Sequence, residues 1–458
     1  MQIDLAIKSK NIITPTEIID GMIFISDGKI ADVIPAASYG EQPEASLLDF
    51  PLEDAGDCVI MAGIIDPHVH INEPGRTEWE GFDTATKAAA AGGITMLVDM
   101  PLNSSPVTTT KSNFLKKLEA SKNSIHVDCG FWGGVVPGNE NELEELLEAG
   151  TAGLKAFLTH SGIDDFPNAN ADQLRKALNI LKKHNKPLLV HCELDAPHAG
   201  QEYLKQHPRS YQAWLHSRPR SWENDAIKLV IDLCRETGGR VHIVHLSSSD
   251  SIEQIQKAKE EGLPLTVETA PHYLFFNAEN IPDGDTRFKC APPIREKENN
   301  EKLWGALRDG IIDFIATDHS PAPPELKETE SGNMDLAWGG ISGLQFSLPV
   351  TWTGALERNF SVTDISRWLS ENPSKFLNME TRKGKIAKGF DADLCLWSPA
   401  NKFTVEESKT WHRHKLTPYT GMELYGTVMQ TYLSGMQVFA NGDFANLNKG
   451  KIISPKLV

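Results

Sequence analysis

Residues 63–75 read GIIDPHVHINEPG, and this stretch decides how the rest of the chain is interpreted. An apolar run from Val59 to Ile65, flanked by glycine and proline, predicts a strand that leads into His68-Val69-His70. Side chains two residues apart on a strand point to the same face, so both imidazoles converge at the strand end. Neutral imidazole binds zinc, iron, nickel and copper. Alone the pair is weak evidence, because one strand face can carry two histidines without a chemical role.

Seven further apolar runs alternate with segments of helical periodicity. The predicted strands are Thr95–Met100, Val127–Val136, Gly153–Leu158, Pro187–His191, Val241–Leu246, Leu265–Thr269 and Asp313–Thr317. The predicted helices are Glu140–Ala149, Asp172–His184, Asp225–Glu236, Ser251–Glu261 and Asn299–Arg308. This alternation predicts an α/β fold with a (βα)8 barrel of the TIM type. An open doubly wound sheet is the alternative, although no Gly-x-Gly-x-x-Gly follows a strand.

The two chain ends differ from the middle. Residues 1–58 and 383–458 show short alternating strands and turns, which predict one small β-sandwich domain built from both ends. The barrel domain is then expected over residues 59–382. The long connection Pro321–Gly343 is rich in proline, glutamate and glycine, and is expected to be either a lid or a plain loop.

Composition narrows the function classes. The chain has 458 residues and a formal net charge of -17, which argues against nucleic acid or an anionic membrane surface as the main partner. No apolar stretch approaches the ~20 residues of a membrane span. The six cysteines are scattered without a Cys-x-x-Cys pair, and the first residues show no signal-peptide pattern. We therefore expect free thiols and a cytoplasmic location.

Candidate metal ligands fall at the predicted strand ends, where active sites of such barrels lie. A lone histidine is usually a core residue, but several on one rim are hard to explain that way. His242 and His319 should face away and serve structural roles. The candidates are His68, His70, Lys155, His191, His245 and Asp318.

Lys155 is the unusual member of this set. Burying a charged lysine costs several kcal/mol unless it is neutral or paired. A neutral amine can add carbon dioxide, and the resulting carbamate could bridge two cations. The alternative is a lysine paired with an acidic neighbour, and the residues alone favour that alternative.

These positions together resemble the amidohydrolase superfamily, in its cyclic amidase branch of dihydroorotases, hydantoinases (dihydropyrimidinases) and allantoinases. The resemblance covers nearly the whole chain, including the motif GFDADL at residues 389–394. Within the branch, the allantoinase family is the most similar. The motifs that carry this similarity lie at residues 70–81, 98–104, 153–167 and 289–295.

The resemblance implies a binuclear metal site, with zinc as the first choice and cobalt, iron, nickel or manganese as alternatives. His68, His70 and Asp318 would hold one metal, His191 and His245 the other, with Lys155 as N6-carboxylysine and a hydroxide bridging them. The implied reaction is hydrolytic ring opening of allantoin to allantoate in purine catabolism, with Asp318 as the catalytic base and then acid. The implied assembly is a homotetramer acting on a small molecule.

The resemblance also suggests substrate contacts, at Asn72, Asn103, Cys290, Ser320 and Gly340. The rival hypotheses are a broader hydantoinase (dihydropyrimidinase), a dihydroorotase and a non-catalytic scaffold protein on the same fold. Dihydroorotases usually carry an arginine two residues after the second histidine, where this chain has the neutral Asn72. Scaffold relatives typically lose metal ligands, whereas all six positions are present here.

Overall fold

The computed structural model describes residues 2–38 and 49–454. Residues 1, 39–48 and 455–458 belong to the predicted terminal domain and lie outside the described residues. Among the described residues, none of the helices combines the length and apolar character that a bilayer crossing requires.

The strands alternate with helices through the middle of the chain. The strands in chain order are β1 (Leu5–Ile13), β2 (Ile18–Ser26), β3 (Lys29–Pro35), β4 (Leu52–Asp54), β5 (Val59–Ala62), β6 (Ile64–Val69), β7 (Ile94–Asp99), β8 (Asp128–Phe131), β9 (Gly133–Gly134), β10 (Leu154–Phe157), β11 (Leu188–His191), β12 (Val241–Ile243), β13 (Leu265–Thr269), β14 (Phe314–Ile315), β15 (Leu394–Thr404), β16 (Glu423–Leu433), β17 (Met436–Ala440) and β18 (Asp443–Phe444).

The α-helices include all five that periodicity predicts, with shifted ends. They are α1 (Phe82–Ala91), α2 (Lys111–Ser121), α3 (Leu143–Ala149), α4 (Ala171–Lys183), α5 (Ala199–Gln206), α6 (Tyr211–Ser217), α7 (Arg220–Thr237), α8 (Ile252–Glu260), α9 (Pro271–Phe275), α10 (Lys297–Arg308), α11 (Ser347–Leu356), α12 (Val362–Ser366) and α13 (Asn372–Phe376).

Strands β6 to β14 form a closed parallel barrel. The pairing runs β6-β7-β8 and β9-β10-β11-β12-β13-β14, and β8 and β9 are two parts of one strand position interrupted at Trp132. The Ala152 amide, just before β10, donates to the Phe131 carbonyl of β8 at 2.8 Å, which joins the two sets. The barrel closes where Val69 pairs in parallel with His319. The predicted (βα)8 architecture is therefore confirmed.

The chain ends meet in a second, nine-stranded sheet. Its order is β18-β17-β16-β15-β5-β1-β2-β3, with β4 paired to β1. The predicted single strand Val59–Ile65 is wrong, because β5 joins this sheet and β6 joins the barrel. Gly63 separates the two strands, and a side chain there would clash with Thr95. The domain boundaries at residues 59 and 383 stay a prediction.

Local sequence explains the predicted helices well. In α4, Asn170 caps the helix by accepting bonds from the amides of Asp172 and Gln173, and Gln173 bonds back to Asn170. The apolar stripe of α4 is buried, as predicted. By contrast, α7 begins at Arg220, before the predicted Asp225. In this additional turn, Glu223 is buried and accepts bonds from the amides of Ser247 and Ser248. These contacts join Glu223 to residues that are distant from it in the sequence.

A buried charge cluster connects the terminal sheet to the barrel. The Lys383 side chain is 1% exposed, and its Nζ lies 2.9 Å from Asp128 Oδ2 on β8. It also contacts Asp391 at 3.2 Å and Asp393, both just before β15. Burial opposes the charge, but the carboxylates raise the pKa of Lys383 well above its ordinary value. This ammonium therefore offsets several buried negative charges at once.

Replacing Lys383 should destabilise the protein strongly. We expect Lys383→Met to lower the free energy of unfolding by about 3–5 kcal/mol, because it leaves buried carboxylates without their counter-charge. Denaturant unfolding measures this. Lys385→Met is the matched control, because Lys385 forms a partly exposed pair with Glu371 at 3.4 Å and should cost less than about 1 kcal/mol. Equal stability of Lys383→Met and the wild type would contradict the assigned role.

Candidate metal centre

The six predicted ligand residues meet at one end of the barrel. His68 lies in β6 and His70 just beyond it, Lys155 in β10 and His191 at the end of β11. The other two, His245 and Asp318, follow β12 and β14. All six line one cavity of about 270 Å³. Their assignment as ligands stays a prediction, but the structure brings them together.

The backbone turns sharply at two of these residues. His245 has φ 39° and Asp318 has φ 46°, in the left-handed region that non-glycine residues rarely adopt. Such conformations cost free energy and concentrate at functional sites. Sequence patterns gave no indication of this feature.

The tightest cluster is formed by His68, His70 and Asp318. Asp318 Oδ1 lies 3.1 Å from His68 Nε2 and 3.4 Å from His70 Nε2. One ligand atom from each residue lies within 4.8 Å of the others, and all three residues are buried. Two imidazoles and a carboxylate are a donor set that suits zinc and related metals.

The second pair of histidines lies beside this cluster. His245 Nε2 is 2.9 Å from His191 Nδ1, and the His68 and His245 rings are 5.5 Å apart. Burial and the neighbouring His191 lower the pKa of His245 well below its ordinary value. His245 is therefore neutral, which is the form that binds metals.

Two buried carboxylates, those of Glu268 and Glu193, contact ring nitrogens of His68 and His191 and orient these imidazoles. Glu268 contacts His68 Nδ1 and accepts a bond from His242 Nε2 at 3.0 Å. Glu193 lies 2.8 Å from His191 Nε2 and is held by Arg218 at 3.0 Å. A carboxylate behind one ring nitrogen fixes the proton there, so the other nitrogen can face a metal.

The charge around His68 indicates a site built for a cation. Burial lowers the pKa of His68, but the flanking Glu268 and Asp318 together raise it to about 9. The two carboxylates thus attract positive charge to the space between His68 Nε2 and Asp318. A bound metal cation would replace the proton in that space.

Lys155 is buried and has no ion-pair partner among the described residues. Its Nζ makes no hydrogen bond and lies 5.1 Å from the centre of the Phe157 ring. Burial lowers the pKa of Lys155 to about 8, although Asp318 and Glu268 oppose the shift. The alternative of a lysine paired with an acidic neighbour therefore finds no support in the described residues. A buried, unpartnered amine on the cavity wall fits the predicted reaction with carbon dioxide.

The predicted substrate contacts divide into two groups. Asn103, Ser320 and Gly340 line the cavity, whereas Asn72 and Cys290 do not. Asn72 is fully buried at φ 67° and donates to the Pro321 carbonyl at 3.3 Å. Cys290 is buried, and its Sγ bonds the Pro292 carbonyl. Their role as substrate contacts therefore stays a prediction.

Several residues in and around the cavity wall were not predicted from the sequence. For Glu268, which lies behind the ligands, one signal was available: an acidic residue inside an apolar strand, as in Val267-Glu268-Thr269. His242 and His319 bond residues outside the ligand cluster, as predicted for structural histidines. The missed residues that line the cavity include His160, Trp214, Arg218, Lys289 and Trp338.

The comparisons of this sequence with known proteins agree on one family. The profile described as "Amidohydrolase family" matches residues 59–438. A protein named allantoinase from Arabidopsis thaliana is 45% identical over 453 residues, covering 96% of this chain and 89% of the relative. An allantoinase from Streptomyces avermitilis is 44% identical over 452 residues, covering 99% of both chains.

Solved structures share the fold across the full length. An L-hydantoinase (dihydropyrimidinase) from Arthrobacter aurescens has a TM-score of 0.90 and 29% identity, covering 99% of this chain and 100% of that one. A dihydropyrimidinase from Brevibacillus agri has a TM-score of 0.87 and 25% identity, covering 98% of both.

Glu268 should control metal affinity without being a ligand. Glu268→Gln removes the charge behind His68, and we expect the affinity of the His68 site for zinc to fall about 10- to 100-fold. Chelator competition measures the dissociation constant. Thr266→Val is the control. Thr266 bonds His242 Nδ1 at 2.8 Å, whereas Glu268 bonds the other nitrogen of that ring. The zinc affinity of Thr266→Val should therefore match the wild type. Unchanged affinity in Glu268→Gln would show that Glu268 does not orient the ligand.

Proposed function

Since the chain belongs to the amidohydrolase family, we propose that it opens the hydantoin ring of allantoin by hydrolysis and releases allantoate. The proposal rests on the one cavity whose wall brings together all six predicted ligands, four histidines with Lys155 and Asp318. The names of the full-length relatives supply the substrate. The hydantoinase names of the solved structures support a related ring amide as the alternative substrate.

The ligand set fits two divalent metals. His68, His70 and Asp318 would hold the first, while His191 and His245 would hold the second. Lys155, carboxylated on Nζ, would contribute an oxygen to each, which supplies a reason for its buried and unpartnered amine. Zinc suits these imidazole and carboxylate donors. When bound, two metals lower the pKa of water and polarise the scissile carbonyl.

The proposal assigns the proton transfer to Asp318. Its carboxylate lies at the cavity wall, where Ser320 Oγ donates to Oδ1 at 3.0 Å. In the proposed reaction, Asp318 accepts the proton of the attacking water and gives it to the ring nitrogen as the carbon–nitrogen bond breaks. General acid–base groups of this kind typically contribute ~10²–10⁴-fold to the rate.

The cavity wall suits an uncharged ureide. Asn103 and Ser320 are neutral polar side chains, and Gly340 presents its backbone. Arg218 and Lys289 also reach the wall, but Arg218 is engaged by Glu193 and Lys289 Nζ donates to the Ala337 carbonyl. Both cations are therefore already engaged by other groups of the protein. The cytoplasmic location and the tetramer stay predictions.

Removing the Lys155 amine should remove the metals. We expect Lys155→Ala to lose most bound zinc and most activity, since the proposed carbamate contacts both ions. Elemental analysis and turnover measure this, and formate or acetate should restore part of the activity by supplying oxygens. Wild-type apoprotein is the control, which should reload zinc better with bicarbonate than in carbon-dioxide-free buffer. A fully active Lys155→Ala protein with two bound metals would contradict the proposed carbamate.

Substrate preference tests the proposed function directly. Turnover of allantoin should exceed that of dihydroorotate by about 10²-fold or more, because hydrogen-bonding sites reject analogues that leave their polar groups unpaired. Initial rates at equal concentration measure this, with plain hydantoin as a third substrate. Comparable rates for allantoin and dihydroorotate, or turnover of dihydroorotate alone, would overturn the assignment. A faster rate with hydantoin would favour the hydantoinase alternative.

A further inference from the structure

The 321–343 segment contains a buried lysine. Lys327 is 4% exposed. Its Nζ donates to the carbonyls of Gly340 at 2.8 Å, Trp338 at 3.0 Å and Lys289 at 3.3 Å. Within the described residues, no carboxylate forms an ion pair with it. The ammonium is thus held by backbone carbonyls.

Lys289 adds a second link to the same segment. Its Nζ donates to the carbonyls of Ala337 at 2.5 Å and Asp335 at 3.2 Å. The Lys289 carbonyl also accepts the Gly340 amide at 2.8 Å. The ammonium groups of Lys289 and Lys327 and the Lys289 carbonyl therefore connect residue 289 to the 335–340 backbone.

Two buried ammonium groups near each other are costly to keep. Burial and Lys289 lower the pKa of Lys327 to about 7, while Cys290 and Asp285 oppose the shift. The carbonyls favour the charged form, because an ammonium has three hydrogens to donate and a neutral amine has two. An apolar side chain in this space would leave the three carbonyls without this donor.

The backbone that Lys327 holds is part of the cavity wall. Trp338, Gly339 and Gly340 all line the cavity, together with Ser320 and Asp318. Gly340 has φ 148°, and a Cβ there would meet Ser320 Cβ at 2.6 Å. The segment therefore packs against the residue that donates to Asp318, with no room for a side chain between them.

We propose that Lys327 is a positioning residue, whose ammonium holds the Trp338–Gly340 backbone in the shape that closes the substrate cavity. This inference rests on the proposed function for its kinetic consequence. Lys327 touches neither the predicted metal ligands nor the cavity itself. Its loss should weaken substrate binding while leaving the metal centre loaded.

The test compares Lys327→Met with the wild type. We expect the KM for allantoin to rise about 10- to 100-fold, with a smaller change in kcat, because a displaced wall misplaces the substrate. Zinc content should stay at the wild-type level. Lys186→Met is the matched control, because Lys186 also donates to two backbone carbonyls, those of Leu147 and Thr151, away from the cavity. Its KM should not change.

Hydrogen–deuterium exchange gives a readout that does not need turnover. Amides of residues 335–341 should exchange about tenfold faster in Lys327→Met, while those of β10 and β11 keep the wild-type rate. If the wild type fails to hydrolyse allantoin, the proposed function falls, and the exchange experiment still decides the positioning role.

Each outcome of the KM, zinc and exchange measurements either supports or overturns the proposal. A raised KM with intact zinc and faster local exchange supports the proposal. An unchanged KM and unchanged exchange overturn it, and so does a loss of zinc, which would place Lys327 in the support of the metal centre. Lys327→Gln, which keeps two donor hydrogens, should show an intermediate KM. Failure of both variants to fold would assign Lys327 to overall stability and also overturn the proposal.

Discussion

The candidate centre depends on one junction, where the first barrel strand meets the residues that follow the last. The Asp66 carboxylate accepts bonds from the hydroxyl of Thr317 at 2.5 Å and from the His68 amide at 3.1 Å. Two residues beyond His68, the His70 amide donates to the His319 carbonyl at 2.8 Å. This closure sets two histidines and Asp318 against each other. Without it, ligands more than 240 residues apart in sequence would have no fixed geometry.

Three buried lysines in this protein have different surroundings, and the difference separates structural roles from the proposed functional one. Lys383 is surrounded by carboxylates and connects two sheets. Lys327 is held by carbonyls and fixes a loop. Lys155 has neither kind of partner among the described residues. A buried amine without a partner is unstable as an ammonium, and this is the basis of the proposed carbamate on Lys155.

Much of the fold follows from the sequence because parallel barrel strands are continuous apolar runs and their helices are amphipathic. The same logic located the candidate ligands at strand ends. It failed at Val59–Ile65, because the division at Gly63 depends on packing against Thr95, which is distant in sequence. Nor did it indicate the positive φ of Asn72, whose role as a substrate contact stays a prediction. Glu193 and Glu268 were missed since their role exists only once their histidines are placed.

In the proposed centre, carboxylated Lys155 would join two metals at this strand-end cluster. Anomalous diffraction from crystals of the zinc-loaded protein tests it most directly. The account predicts two peaks about 3.5–4 Å apart, one beside His68, His70 and Asp318 and one beside His191 and His245, with density for a carbamate on Lys155 between them. A single peak beside His68, with an unmodified Lys155 amine, would contradict the account.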